Sequence, residues 1–175
     1  MTPQTLSSAL GIPLYRAQAW ADPISAAMAL WAIDSPVRQA MFLAQVGHES
    51  GRLIYVRELW GPTPAQVGYE GRKDLGNTQP GDGKLFMGRG LIQITGRANY
   101  ATAGAALTLP LIDSPELLEQ PSNAALSAAW FWNVKGLNAL ADAGDFETIT
   151  RRINGGLNGL ADRQALLALA TRAIT

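Results

Sequence analysis

Apolar positions recur along this chain mostly at helical spacing. Ile24, Ala27, Met28 and Trp31 share one face of a segment that opens at Asp22-Pro23 and stops before Ser35-Pro36. Ser35 then reads as an N-cap, with Pro36 at the first position of the next helix. In that helix Phe42, Gln45, Val46 and Glu49 stand at i, i+3, i+4 and i+7, so Glu49 ends a semi-apolar stripe, with Gly51 as terminator. From Trp60 to Gly83 the period is lost among glycines and prolines, which predicts loop with one short helix at Thr63-Pro64. Lys84 to Thr95 predicts two short strands flanking Gly88-Arg89-Gly90. Ser114-Pro115 and Ser122 predict caps, and Ala124 to Val134 a buried helix that stops at Gly136. Asp145 to Ile153 and Asp162 to Ile174 complete the pattern around Asn154-Gly155-Gly156. The fold class expected is mainly α (α+β), a single helical domain over residues 1–175 with one small β-hairpin.

Bulk composition narrows the chemistry. Lys plus Arg and Asp plus Glu are 14 each, so no overall field draws the chain to nucleic acid. With no cysteine there are no disulfides, iron–sulfur clusters or thiol nucleophiles. The apolar window Ile24 to Ile33 is roughly half the ~20 residues of a membrane span, so no stable membrane insertion is expected. The first residues lack the basic and apolar regions of a secretory signal, which predicts residence in the cytoplasm of the producing cell.

One histidine excludes most remaining chemistries. His48-Glu49 does not start a zincin motif, because Arg52 stands where the second histidine belongs. A histidine-rich metal site is impossible, and no metal or cofactor is expected. Gly88-Arg89-Gly90 lacks the third glycine and the βαβ setting of a dinucleotide site. Asp82 between glycines reads as a turn. No G-x-S-x-G elbow is present. Carboxylate chemistry survives. Paired carboxyls hydrolyse glycosidic bonds by dividing labour, one donating a proton and the other activating water or attacking directly. Glu49 on its stripe is the natural acid, against the plainer reading of a helix-terminal salt bridge.

Two segments carry a resemblance. Phe42-Leu43-Ala44-Gln45-Val46-Gly47-His48-Glu49-Ser50-Gly51 and Gly88-Arg89-Gly90-Leu91-Ile92-Gln93-Ile94-Thr95 resemble the signatures of family 19 glycoside hydrolases, chitinases and phage endolysins of lysozyme-like fold. A later stretch, Ile153-Asn154-Gly155-Gly156 with Ala161-Asp162-Arg163, is similar to the family's third segment. The resemblance implies Glu49 as general acid, Thr95 as the hydroxyl positioning the water, and Gln93 as a substrate ligand. It further implies substrate contacts at Asn99, Tyr100 and Asn154, with Arg163 in support. For the base, Glu58 and Glu70 compete; the resemblance favours Glu58, and a salt bridge to Arg72 or Lys73 is the plainer role of Glu70. Trp60, in a Gly/Pro loop, is the candidate for stacking on sugar. Trp130, Phe131 and Trp132 read as core, His48 as a packed hydrogen-bonding residue, and Arg89 as either a partner of a catalytic acid or a hairpin brace.

Asn77 to Gly83 and the absence of cysteine resemble the endolysin branch. The expected partner is therefore the peptidoglycan glycan strand, cut by a monomer that reaches the wall after release by another factor. A chitinase on the same scaffold and a catalytically silent wall-binding module are the rival readings.

Overall fold

The computed structural model describes residues 1–175 and is built almost wholly of helix. The elements are α1 (Pro3–Leu10), α2 (Leu14–Leu30), α3 (Pro36–Glu49), α4 (Pro64–Val67), α5 (Asp82–Leu85), α6 (Arg97–Leu107), α7 (Pro121–Val134), α8 (Leu137–Asp142), α9 (Phe146–Asn154) and α10 (Leu160–Ile174). Short 3₁₀ turns occupy Lys73–Leu75 and Pro115–Glu119.

Helix α3 is the centre of the molecule. Its start is as expected: the Ser35 hydroxyl accepts from the Arg38 amide, and Pro36 opens the helix where an N–H has no partner to lose. Every residue from Ala40 to Gly47 is buried, including the polar Gln45. Helix α10 packs along α3, α1 packs on α10, and α2 lies against α7. The resulting core is one continuous cluster of 38 buried apolar residues. Phe42 meets Trp132 edge-on at 5.5 Å between centroids, and the Trp132 indole N–H is satisfied by Asn138.

Three elements differ from the pattern. Pro23 lies inside α2 rather than at its start. A buried face of Trp20, Ala21, Ile24, Ala27 and Met28 joins the two halves, and this packing outweighs the one backbone hydrogen bond that proline deletes. The Ser122 cap is replaced, since α7 begins at Pro121 and Gln120 is its N-cap. The hairpin is reduced to a single rung, Arg89 to Ile94, closed by the turn Gly90–Gln93. Lys84 and Leu85 belong to α5 instead of a strand. The second neighbour of this rung comes from further back in the chain. Residues 56–58 run antiparallel to 88–90, with the Glu58 amide donating to the Gly88 carbonyl at 2.9 Å and the Gly90 amide to the Val56 carbonyl at 2.9 Å.

Candidate active site

Glu49 is the last residue of α3, 19% exposed at its side chain. Arg163 Nη2 donates to its Oε1 at 2.5 Å, and its other oxygen makes no hydrogen bond within the protein. Arg163 is itself fully buried on α10. Its Nη1 donates to Gln45 Oε1 at 2.5 Å, and Gln45 Nε2 in turn donates to Thr150 Oγ1 on α9 at 2.8 Å. A buried guanidinium is tolerable only with its donors used and its charge matched, and Glu49, Gln45 and the Asn158 carbonyl do both. The residue before each partner is tied as well: His48 Nδ1 lies 2.7 Å from Asp162 Oδ2. The His48 ring leaves no room opposite it, since a Cβ on Gly159 would stand 2.2 Å away. His48 is thus the packed, hydrogen-bonded residue expected.

Glu58 sits in the segment paired with 88–90. Its Oε2 accepts from the Gly88 amide at 3.1 Å and its Oε1 from the Tyr69 hydroxyl at 3.2 Å. Burial, then the adjoining Glu58 charge, pushes the Tyr69 hydroxyl above its ordinary range, so it remains a donor. Gly88 also brings Glu58 to the second signature. A Cβ there would meet Gln93 Oε1 at 2.8 Å and Thr95 Oγ1 at 3.3 Å, so the absence of a side chain lets the three polar groups gather about one backbone unit.

Gln93 holds φ +56°, a conformation that non-glycine residues seldom adopt, with its Nε2 donating to the Gly90 carbonyl at 2.9 Å. Thr95 Oγ1 donates to the Gln93 carbonyl, and Asn99 Nδ2 to the Thr95 carbonyl. Gln93, Thr95 and Asn99 line a cavity of about 450 Å³ together with Trp130, Phe131 and Ile153. Trp130 and Phe131 were expected in the core; they contribute to it and also form this wall. Asn154, exposed at the end of α9, follows Ile153 directly. Trp60 leans on Tyr69 at 6.3 Å between centroids. Gln66 fixes its loop by accepting from the Gly61 and Thr63 amides and donating to the Leu59 carbonyl.

One expected substrate ligand, Tyr100, is corrected, and the supporting arginine, Arg163, is given its partner. Tyr100 is fully buried; its hydroxyl donates to the Met87 carbonyl at 2.6 Å and receives Arg89 Nη1 at 3.1 Å, so it braces the turn from behind. Burial pushes that hydroxyl up to about 12, with Arg89 working the other way. Arg163, equally buried, reaches Glu49 instead of a ligand. Arg89 takes the brace role, paired with Glu119 at 2.8 Å. Glu70 is also structural, though by a different contact from the one expected. Its carboxylate accepts from the Gly81 and Gly83 amides, while Arg72 pairs with Asp74.

Three contributors had no such role in the sequence reading: Tyr69, Asp162, and Asp82, which was read as a turn and instead opens α5. Asp82, buried, accepts two bonds from Arg97 and one each from the Thr78 and Gln79 amides, which holds its carboxyl below the usual range. Asn77 bonds the Tyr69 carbonyl and accepts from the Arg97 amide. The Asn77–Gly83 segment therefore fixes Tyr69, and Tyr69 fixes Glu58.

A helical body that holds two glutamates by separate donor sets, with a polar-and-aromatic cavity walled by Gln93, Thr95 and Asn99, fits the carboxylate chemistry of a glycoside hydrolase. The family model described as chitinase class I matches residues 37–143, and the chain belongs to glycoside hydrolase family 19. A Haemophilus influenzae protein named for a glycosyl hydrolase family 19 domain is 35% identical over 154 residues, 73% of this chain and 75% of that protein. An Arabidopsis thaliana endochitinase is 42% identical over 118 residues; the match spans 67% of this chain and 39% of the plant protein's length. The crystal structure of chitinase C from Streptomyces griseus superposes with a TM-score of 0.75 at 26% identity, over 99% of this chain and 91% of that one. The mainly helical, lysozyme-like fold expected from the motifs is the fold observed.

Proposed function

We propose that this chain is an endolysin that hydrolyses β-1,4 bonds of the peptidoglycan strand, between N-acetylmuramic acid and N-acetylglucosamine, with inversion. It works as a single catalytic unit over residues 1–175, as a monomer, and meets the wall after another factor releases it from the cytoplasm. Glu49 transfers its proton from the unbonded oxygen to the leaving sugar oxygen, and the carboxylate that forms meets the guanidinium of Arg163. Water attacks the anomeric carbon on the other face as the glycosidic bond breaks, and its proton passes to Glu58. Thr95 orients that water. Gln93, Asn99 and Asn154 offer amides to the acetamido and hydroxyl groups, and Trp60 offers a ring to a sugar face.

One observation carries this reading: Gly88 brings the Glu58 carboxylate, Gln93 and Thr95 to one point. The preference for peptidoglycan rests on the Asn77–Gly83 segment that resembles the endolysin branch. The chitinase reading is favoured by the names of the plant and Streptomyces relatives. Lysis of outer-membrane-permeabilised Gram-negative cells, with mass spectrometry of the released muropeptides, separates the two. Muropeptides with newly formed reducing ends are the expected product. Turnover of chitin oligosaccharides with no muropeptide release would replace the endolysin reading by the chitinase one.

A further inference from the structure

The cavity beside Gln93 and Thr95 has one charged side chain in its lining, Lys135. Lys135 is the C-cap of α7, exposed, with its Nζ 5.4 Å from the centre of the Phe131 ring. That contact steadies the chain but leaves the positive charge without a counter-ion. A second cation backs it: Arg152 Nη1 donates to the Lys135 carbonyl at 2.8 Å. Neither residue forms an ion pair, whereas Arg163, Arg89 and Arg97 near the other parts of the site are each matched with a carboxylate. In a chain of zero formal net charge, this leaves Lys135 as a cation without an ion pair on the cavity's lining, with Arg152 behind it.

A neutral glycan offers this ammonium only hydroxyl and carbonyl acceptors, whereas a carboxylate would also match its charge. Polymers of N-acetylglucosamine carry no charge along the strand. A strand containing N-acetylmuramic acid carries lactyl-linked peptide stems with free carboxylates projecting from every second sugar. We propose that Lys135, supported by Arg152, is a specificity-determining residue that pairs with a carboxylate on the substrate's stem. This rests on the peptidoglycan reading and names the group that distinguishes the two substrates.

The test uses soluble glycan strands that carry their peptide stems, in two forms: native, and with the stem carboxylates converted to amides. KM is measured for the wild type and for Lys135→Met, whose aliphatic chain keeps the contact with Phe131. Loss of one solvent-accessible ion pair raises KM about three- to fivefold. Lys135→Met on native strands and the wild type on amidated strands should both show that rise. Amidation should add nothing further in the variant, because the two changes remove the same interaction. Equal losses for Lys135→Met on both strand forms, or none on the native form, overturn the proposal. A wild type that cleaves both forms with the same KM does so too, while the endolysin reading stands. A wild type that releases no muropeptide but cleaves chitin oligosaccharides removes the endolysin reading and this proposal with it.

Discussion

Arg163 joins Glu49 to Gln45 through two hydrogen bonds of 2.5 Å each, made by the two terminal nitrogens of one buried guanidinium. Its planar fork fixes the carboxyl's direction as well as its charge environment, which a lysine's single ammonium would not. We expect Arg163→Lys to fold and to lose most turnover. Arg163→Ala should also lower thermal stability, because Gln45 and Glu49 are left without their partner. Turnover in Arg163→Lys equal to wild type would show that the fork is dispensable.

Glu49→Gln retains the shape and removes the proton. Lytic activity should fall by about 10²–10⁴-fold, the usual contribution of a general acid, with an unchanged circular dichroism spectrum. Activity within a few-fold of wild type would discard Glu49 as the acid.

Glu58 and Glu70 should separate cleanly. Glu58→Gln is expected to abolish lysis. Glu70→Gln weakens the bonds to the Gly81 and Gly83 amides and should lower the melting temperature while lysis persists. The reverse pattern in the turbidity assay would transfer the base role to Glu70.

Thr95→Ala should lower turnover by an amount equivalent to about 1–3 kcal/mol, as expected for losing a hydrogen bond near developing charge. Gln93→Ala carries two effects, since it removes both a cavity amide and the bond to the Gly90 carbonyl. Weaker saccharide binding measured by calorimetry, along with reduced rate, is the expected result. Full affinity and rate in both variants would leave the turn with a structural role alone.

Asp82 and Arg97 set an acid limit on stability. The Asp82 carboxyl is held below its ordinary value by Arg97 first and by the Thr78 and Gln79 amides after it, with burial opposing. A carboxyl depressed in the folded state contributes stability that is present above its unfolded value, near ~4, and lost as pH falls toward the folded one. Asp82→Asn should therefore destabilise the protein at neutral pH by more than the ~1 kcal/mol of a surface pair. It should also shallow the loss of stability as pH falls below about 4. Denaturant titrations at pH 7 and pH 3 read both; a variant with the same difference between the two pH values as wild type would assign the acid sensitivity elsewhere.

The parts of the molecule legible from sequence are those governed by local periodicity and capping. Ser35-Pro36, the stripe ending at Glu49 and the Thr63-Pro64 turn of helix all formed where the residues placed them. Pro23 was misread because a proline at a helix start and one tolerated inside a helix look alike locally; the buried face that decides between them is tertiary. Tyr100 and Arg163 were placed by resemblance near the substrate, but no pattern in the chain states their burial. Gln45 did carry a signal, a polar side chain on an otherwise apolar stripe. Tyr69 carried none, since its bond to Glu58 depends on how a glycine- and proline-rich loop closes.

Asp162 and Arg163 are neighbours on α10, and they hold His48 and Glu49, neighbours on α3. The link to the rest of the chain runs through the largely exposed turn Gly155–Gly159. A nick in this turn would leave α10 joined to residues 1–154 by packing, chiefly along α3 and α1, and its departure would unseat Glu49 while sparing the groups around Gly88. Such a nicked protein would still present the amide-lined cavity to a glycan but could not break the bond. Digestion within this turn, followed by separate assays of glycan retention and lysis, would reveal a fragment that grips without cutting.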